Sequence, residues 1–539
     1  VFANVKTAHS NGPFSAISWP IWILVAVFLI LSISYSFVCD DAFITFRVAR
    51  NLSSGIGPVF NPGERVEGYT SFLWMILMAA VIRLGGAPEL WSRILSLLFS
   101  AGTILLFFRS ISYDSGFPKY LFTIFLVFSA PFIAWSTGGL ETAAFTFLVF
   151  AAVMKFREAC ERKTSKIFLL ASLLFTLAAM TRPEGVPIFA VMAAFLVFFA
   201  LTGKSSLRQV ISFLLPFIVL YGIYFLWRYI YYGHFFPNTY YVKSPGASML
   251  RLGTAYSWHF LAHSAPWIPF IIVAYRIVRT GKQIFRDIDI AILTVLAFYS
   301  IYIIGVGGDF MALYRFYMPL LPLTYFLFHR LYWNAEKIDH QTTISPIVLG
   351  ALVIFVAINI SSGIKAKMND HAYNLDSIGC LETYVDQWSR IGRLIADNSR
   401  PTDTIAVTAA GAIPYYSGLY TIDMLGLEAS DLSKYKWTNT LGGPGHVISL
   451  TSQSLLEARP HFIIGHPIVV TRSPDIFSFS DFQSSDDYLR AGYTPAGARI
   501  PGRLGYFWLF WIRNDIADRI SGDIELYGSN PAAGDSAAP

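Results

Sequence analysis

Asp40 and Asp41 stand side by side where the first long apolar run ends, in FVCDDAFITFRVARNL. Other polar and ionisable residues recur in connectors between later apolar runs. Glu67 and Tyr69 lie in GERVEGYT, Glu141 in STGGLET, Arg182 and Glu184 in TRPEG, Asn238 and Lys243 in PNTYYVK, and Asp309 and Arg315 in GGDFMALYR. Ionisable groups at membrane depth are costly, so acids and bases gathered at the ends of apolar runs are functional candidates. Carboxylates there could take a proton from a reacting group while the guanidinium and ammonium groups hold an anion. One aspartate could instead cap the helix expected from DAFITFRVARNL, where its oxygen would meet free backbone donors. Capping uses one carboxylate of the pair and leaves the other for chemistry.

The elements that must position these residues follow from composition. The 539 residues are 55% hydrophobic and 14% charged, with 46 Phe and 13 Trp, which excludes an ordinary soluble domain and indicates a polytopic membrane protein. Its net charge of +6 calls for no nucleic-acid partner, because Lys and Arg held in cytoplasmic loops give the same balance. Eleven apolar runs approach spanning length, at 19–38, 90–108, 120–135, 140–154, 167–180, 186–201, 210–230, 255–278, 288–306, 316–328 and 344–360. With eleven spans the basic connectors KFREACERKTSK, TGKSSLR, YRIVRTGKQIFR and HRLYWNAEK fall on one face, the cytoplasmic one, together with the N-terminus. The connectors carrying the acids and bases then share the opposite face. A twelfth run at 70–84 would invert this bias, so it reads as a juxtamembrane helix within a first extracytoplasmic loop, 39–89. The first apolar run lacks a small-residue cleavage site after it and reads as a signal anchor.

Beyond Ile360 the pattern changes. Leu381, Tyr384, Val385, Trp388, Ile391 and Leu394 form one stripe of an amphipathic helix. Strands are expected in TIAVTAAG, HFII and YFWLFWI, giving an extracytoplasmic α/β domain over 361–522 and a disordered tail over 523–539. His446 in GGPGHV is a further substrate-binding candidate, and Asp423 in YTIDMLGL reads as a strand-end turn. Cys39, Cys160 and Cys380 are too few and too scattered for a disulfide framework or a metal cluster. GIGPVFNPGE has neither the lysine nor the preceding strand of a phosphate-cradling loop and reads as a turn.

The ordered blocks DDAFITFRVARNL, GPVFNPGERVEGYTSFLW, STGGLETAAF, TRPEG, YYGHFFPNTYYVK, GGDFMALYRFYMPLLP and GAIPYYSGLYTIDMLGL together resemble the GT-C superfamily of polyprenyl-phosphate-sugar glycosyltransferases. Within it they are most similar to the terminal arabinofuranosyltransferases of bacterial cell-wall synthesis. The resemblance implies an enzyme of the cytoplasmic (inner) membrane that moves a sugar, arabinofuranose as first choice, from a polyprenyl-phosphate carrier to an extracytoplasmic glycan, lipid or protein. It implies Asp40 and Asp41 as catalytic carboxylates. Arg182, Lys243 and Arg315 are the expected cations for the departing phosphate, Arg182 first among them. Glu67, Tyr69, Glu141, Glu184, Asn238, Asp309 and His446 would bind substrate or support the site. No cofactor is expected, and although adjacent aspartates can ligate a divalent cation, a leaving group with a single phosphate gives no reason for an obligatory one. A secondary transporter or flippase would place its charges near the midplane, and a membrane scaffold would have no use for the Asp pair.

Overall fold

Proline decides how several apolar runs become helices. The computed structural model describes residues 19–111, 118–243, 247–280, 285–339, 346–368, 371–372, 375–430, 432–439, 448–470, 485–500, 505–520 and 522–527. Its first part is helical: α1 (Pro20–Tyr35), α2 (Asp40–Ser53), α3 (Phe72–Arg83), α4 (Pro88–Ile111), α5 (Pro118–Val127), α6 (Ala130–Ala134), α7 (Thr142–Arg162), α8 (Ser165–Thr181), α9 (Gly185–Leu201), α10 (Leu207–Tyr232), α11 (Asn238–Val242), α12 (Ala247–Ser264), α13 (Trp267–Thr280), α14 (Asp287–Gly305), α15 (Leu321–Asp339) and α16 (Pro346–Met368). Among the described residues α4, α10, α14 and α16 are long and apolar enough to cross a membrane, and two bent pairs, α1 with α2 and α12 with α13, raise the number to six. α3 is 12 residues long, about 18 Å, well short of a hydrocarbon core of about 30 Å.

Three of the expected continuous runs are broken, and each break has a proline. Run 255–278 is split by a 76° bend between α12 and α13, where Ala265 precedes Pro266 and takes φ +47°. Run 120–135 divides between α5 and α6 just before Pro131. Run 316–328 opens as a 3-10 turn, Arg315–Leu320, around Pro319. Conversely, α16 does not stop at Ile360 but continues to Met368. Gly363 in that extension admits the Tyr35 hydroxyl, which a Cβ would meet at 1.9 Å.

After α16 come β1 (His371–Ala372), β2 (Leu375–Asp376), α17 (Ile378–Asp397), β3 (Thr404–Val407), α18 (Ala412–Ser417), β4 (Tyr420–Asp423), β5 (Trp437–Asn439), β6 (Ile448–Leu450), α19 (Ser452–Ala458), β7 (Phe462–Val470), α20 (Ser485–Arg490), β8 (Tyr493–Arg499), β9 (Phe507–Arg513), α21 (Asn514–Ala517) and β10 (Ile524–Leu526). A six-stranded sheet runs β10-β8-β9-β7-β3-β4, with β3 parallel to both β4 and β7 and the other pairs antiparallel. Alternation sorts its two faces. Ile405, Val407, Phe462 and Ile464 join the core containing Ile391 and Ile395 of α17, whereas Ala406, Ile463, Leu509 and Trp511 close on Leu455 and Tyr488. The three expected strands are β3, β7 and β9. Within the expected disordered tail, Ile524–Leu526 is instead an edge strand on β8, because Ile524 is buried and Glu525 pairs with Arg499 at 2.9 Å; residues 528–539 lie outside those described.

The helical module and the C-terminal sheet meet along α2. Asp40, Phe43, Arg47 and Arg50 recur at helical spacing and present one seam to α18. The Asp40 carboxylate accepts from the backbone N–H groups of Gly411 (3.1 Å) and Ala412 (2.7 Å). Arg47, 2% exposed, donates to the carbonyls of Pro414, Leu419 (2.7 Å) and Phe60 (2.9 Å) and to Asn61 Oδ1. Arg50 donates to the Tyr415 carbonyl at 2.8 Å, and Phe43 packs edge-on against the Tyr415 ring. An acid therefore sits at the start of α18 and a base at its end, the arrangement that complements aligned peptide dipoles.

Beside this seam lies a buried acid. Glu428 is 2% exposed and neither carboxylate oxygen has a hydrogen-bond partner among the described residues. Gly68 packs so closely that a Cβ would lie 1.9 Å from Glu428 Oε1. Burial, followed by the charge of Asp423, holds its carboxyl well above the usual range, with Arg47 opposing. The sign follows from linkage. The folded state prefers protonated Glu428, so that contribution is fully present below the ordinary carboxylate pKa and is lost as pH rises through the raised folded value. Glu428→Gln should therefore raise the thermal midpoint relative to wild type, by a margin that widens from acidic to neutral pH; a constant margin in scans at several pH values would contradict this.

Candidate active site

The five connectors that carry the sequence-level candidates converge on one cavity of about 720 Å³. Asp40, Asp41, Tyr69, Glu141, Arg182, Lys243 and Arg315 all line it. Its remaining wall comes from the far end of the chain: Asp376, Leu381, Tyr384 and Trp388, together with Thr408, Ala409 and Ala410 after β3 and Leu425 and Leu427 after β4. The cavity thus lies at the carboxyl ends of two parallel strands, where open α/β sheets characteristically leave a crevice.

Local backbone chemistry aims these groups. Cys39, not Asp40, is the N-cap of α2, and no side chain caps that end. The chain before α2 is fixed by Cys39 N–H donating to the Gly138 carbonyl (3.2 Å), and the Gly138–Gly139 turn is held in turn by Trp74 Nε1 of α3 donating to the Gly139 carbonyl (3.1 Å). Gly139 has φ +82°, and a Cβ there would meet Val38 at 2.7 Å, so only glycine lets the turn before Glu141 approach the Asp pair. On the opposite side Leu313 and Tyr314 are consecutive non-glycine residues with φ +59° and +51°, a strained turn that delivers Arg315. The Tyr314 hydroxyl is held 2.6 Å from His263 Nδ1.

The cations differ in what they face. Arg182 is enclosed by two carboxylates, Glu141 at 2.6 Å and Glu184 at 2.7 Å, and Glu184 also accepts from the Tyr302 hydroxyl at 3.3 Å. Arg315 pairs with Asp309 at 2.8 Å and lies over the rings of Trp135 and Phe316. The ammonium of Lys243, exposed at the cavity edge, has no hydrogen bond or ion pair among the described residues. The acids divide in the same way. Asp40 is held by Gly411 and Ala412, Glu141 and Glu184 by Arg182, and Asp309 by Arg315. The Asp41 carboxylate has no hydrogen bond or ion pair among the described residues, while its charge acts on Arg315. Burial pushes the Asp40 carboxyl up to about 7, with the Ala412 and Gly411 N–H groups pulling it down and Asp41 pushing it further up.

Glu184 and Asp309 thus stand behind the lining as partners of its arginines. Glu67 and Asn238 lie outside it. Glu67 pairs with buried Arg228 at 2.6 Å, and its carbonyl accepts from Asn238 N–H at 3.0 Å. Asn238 Nδ2 donates to the carbonyls of Gly426 and Leu427, tying the connector before α11 to the loop after β4. His446 lies outside the described residues. Sequence reasoning missed Asp376, whose segment has no charge pattern to mark it; backbone bonds to Phe310 and Ala312, both 2.9 Å, splice it onto the Asp309–Arg315 loop. Tyr384 and Trp388 belong to the amphipathic stripe of α17, whose periodicity carries no sign that the stripe also reaches the cavity.

A family model described as a domain of unknown function (DUF8728) matches residues 378–513. Two terminal β-(1→2)-arabinofuranosyltransferases are similar to this chain. The one from Mycobacterium tuberculosis is 26% identical over 250 residues, covering 44% of this chain and 39% of that protein. The one from Corynebacterium glutamicum is 26% identical over 337 residues, covering 53% and 46%. The chain therefore spans less than half the length of these curated relatives. In fold it resembles ArnT from Cupriavidus metallidurans, both bound to undecaprenyl phosphate (TM-score 0.57, 12% identity, 94% of this chain and 100% of that one) and in the apo state (TM-score 0.55, 13% identity, 92% and 98%). The fold is thus ArnT-like: a polytopic helical module carrying a β-rich C-terminal domain.

Proposed function

We propose that the chain is a membrane glycosyltransferase that moves a sugar, arabinofuranose as first choice, from a polyprenyl-phosphate donor to an extracytoplasmic glycan or lipid. The observation that carries the reading is the contrast among the acids. In a cavity at the junction of the membrane module and the C-terminal sheet, the Asp41 carboxylate has no partner among the described residues, while its neighbours Asp40, Glu141, Glu184 and Asp309 are all engaged. The ArnT-like fold and the two arabinofuranosyltransferase relatives support the donor class and the sugar, respectively. The basic bias of the opposite connectors supports a site on the outer face of the inner membrane, with the N-terminus cytoplasmic.

In this mechanism Asp41 takes the proton of the acceptor hydroxyl as its oxygen attacks the anomeric carbon. The bond from that carbon to the phosphate oxygen breaks, and polyprenyl phosphate departs with the electron pair. A single base suits direct displacement with inversion. Lys243 is placed to meet the growing phosphate charge, with Arg315 deeper in the cavity, because a fixed cation lacking a counter-ion is the one whose field is unspent. Arg182, matched by two carboxylates, has the lesser role of bracing Glu141 and Glu184. Asp40 holds the Gly411–Ala412 turn against the site. The reaction needs no resident metal, since the leaving group carries one phosphate.

Transfer of labelled sugar from synthetic polyprenyl-phosphate arabinofuranose by the purified protein tests this reading. Asp41→Asn should reduce the rate about a thousandfold; an active Asp41→Asn variant would remove the base from the mechanism. Lys243→Ala should raise donor KM about tenfold, the scale of one charge-assisted hydrogen bond, and an unchanged donor KM would assign the phosphate elsewhere. Burial pushes the Asp40 carboxyl up to about 7 and its ionised form is the better acceptor for the Gly411 and Ala412 N–H groups that order the cavity wall, so the wild-type rate should climb as pH rises through that value. The same profile measured on Asp40→Asn should be flat there, and persistence of the limb would assign it to another group.

A further inference from the structure

The short helix α11 carries two polar side chains into the cavity from one turn. Thr239 and Lys243 are four residues apart, the Lys243 N–H donates to the Thr239 carbonyl at 3.1 Å, and both residues line the cavity. Between them Tyr240 and Tyr241 are exposed. A single turn is too short to hold its own shape in water, so the places of Thr239 and Lys243 depend on how α11 is anchored. Val242, 2% exposed, anchors its end, and Asn238 anchors its start. The Asn238 amide nitrogen has two hydrogens to give and faces three carbonyls, those of Gly426 (2.9 Å), Leu427 (2.8 Å) and Ala429 (3.3 Å). These carbonyls belong to the C-terminal domain. Their loop is fixed after β4 by Asp423, whose carboxylate accepts from the N–H groups of Leu425 (2.8 Å) and Glu428 (2.9 Å).

We infer that Asn238 is a positioning residue for the donor: by clasping the loop after β4 it sets α11 so that the Thr239 hydroxyl and the Lys243 ammonium meet the donor phosphate together. A hydroxyl and an ammonium one turn apart can donate to two oxygens of a single phosphate. The clasp also makes the C-terminal domain a determinant of donor affinity, because the carbonyls that hold α11 in place are anchored to its sheet and not to the membrane module. Without the Asn238 amide, Lys243 keeps its charge and loses its aim, and three carbonyls lose a donor. Asp41 stands on α2, outside this clasp, so the chemical step is left as it is. The identity of the anion rests on the glycosyltransferase reading.

A double-mutant cycle on lipid-phosphate binding tests this without turnover. Undecaprenyl phosphate is titrated into the purified chain in detergent for wild type, Asn238→Ala, Lys243→Ala and the double variant. Asn238→Leu, which keeps the branched shape and removes the donors, takes the place of Asn238→Ala if that variant fails to fold. Each single variant should weaken binding about tenfold, the scale of one charge-assisted hydrogen bond. The double variant should bind little worse than Lys243→Ala alone, well short of the roughly hundredfold loss that two independent sites would give, because the clasp then has no ammonium to aim. In the transfer assay Asn238→Ala should raise donor KM and leave kcat and acceptor KM unchanged. Additive losses, which a merely structural Asn238 would give, overturn the inference, as does unchanged binding in either single variant. The expected binding pattern in a protein that transfers no sugar upholds the positioning role and counts against the glycosyltransferase reading alone; sugar transfer with additive or absent binding effects does the reverse.

Discussion

The architecture depends on one buried cation. Arg47 has no carboxylate within ion-pairing distance among the described residues; its charge is met by carbonyls of Phe60, Pro414 and Leu419 and by the Asn61 amide oxygen. Uncompensated, a guanidinium in such a place would cost several kcal/mol. Two of those carbonyls belong to the end of α18 and the segment after it, so satisfying Arg47 requires α18 to lie along α2. That placement brings the start of α18 onto Asp40. One electrostatic constraint therefore docks the C-terminal sheet, orders the turn after β3 and fixes the first carboxylate of the pair.

From this follows a division of labour between adjacent residues of identical type. Successive residues on a helix point about 100° apart, so when Asp40 faces α18 its neighbour Asp41 must face elsewhere, and that direction is the cavity. The first carboxylate is consumed in structure and the second is left open. The same logic runs through the cations. Arg182 and Arg315 are held by acids delivered from neighbouring connectors, whereas Lys243 has none. Pairing, more than residue type, separates the held side chains from the open ones among the described residues.

Much of this was legible in the sequence. The polar connectors read as lying on one face do meet in one cavity, since charge placement relative to apolar runs is a local property. The amphipathic helix and three strands of the C-terminal region were legible for the same reason. Helix continuity was harder, because Pro131, Pro266 and Pro319 sit inside apolar runs whose hydropathy hides the break. Long-range pairing was harder still. Asp40 was read as a possible cap for its own helix, and it does bind the start of a helix, but one formed 371 residues later in the chain. Arg228, inside a tyrosine-rich segment, gave no hint that it holds Glu67, and Asp376 carried no local signal at all.

The span between Arg47 and its acceptors also constrains how the protein is made. Pro414 lies 367 residues beyond Arg47, so during synthesis the first loop emerges with its cation solvated and waits until most of the membrane module has been inserted and the residues after α17 have followed. Contacts of such sequence separation form late. Until then α2 lacks its partner, Asp40 has no turn to hold, and the cavity has only one wall. A nascent chain that has not reached the residues after α17 thus has the cavity's first wall without its second.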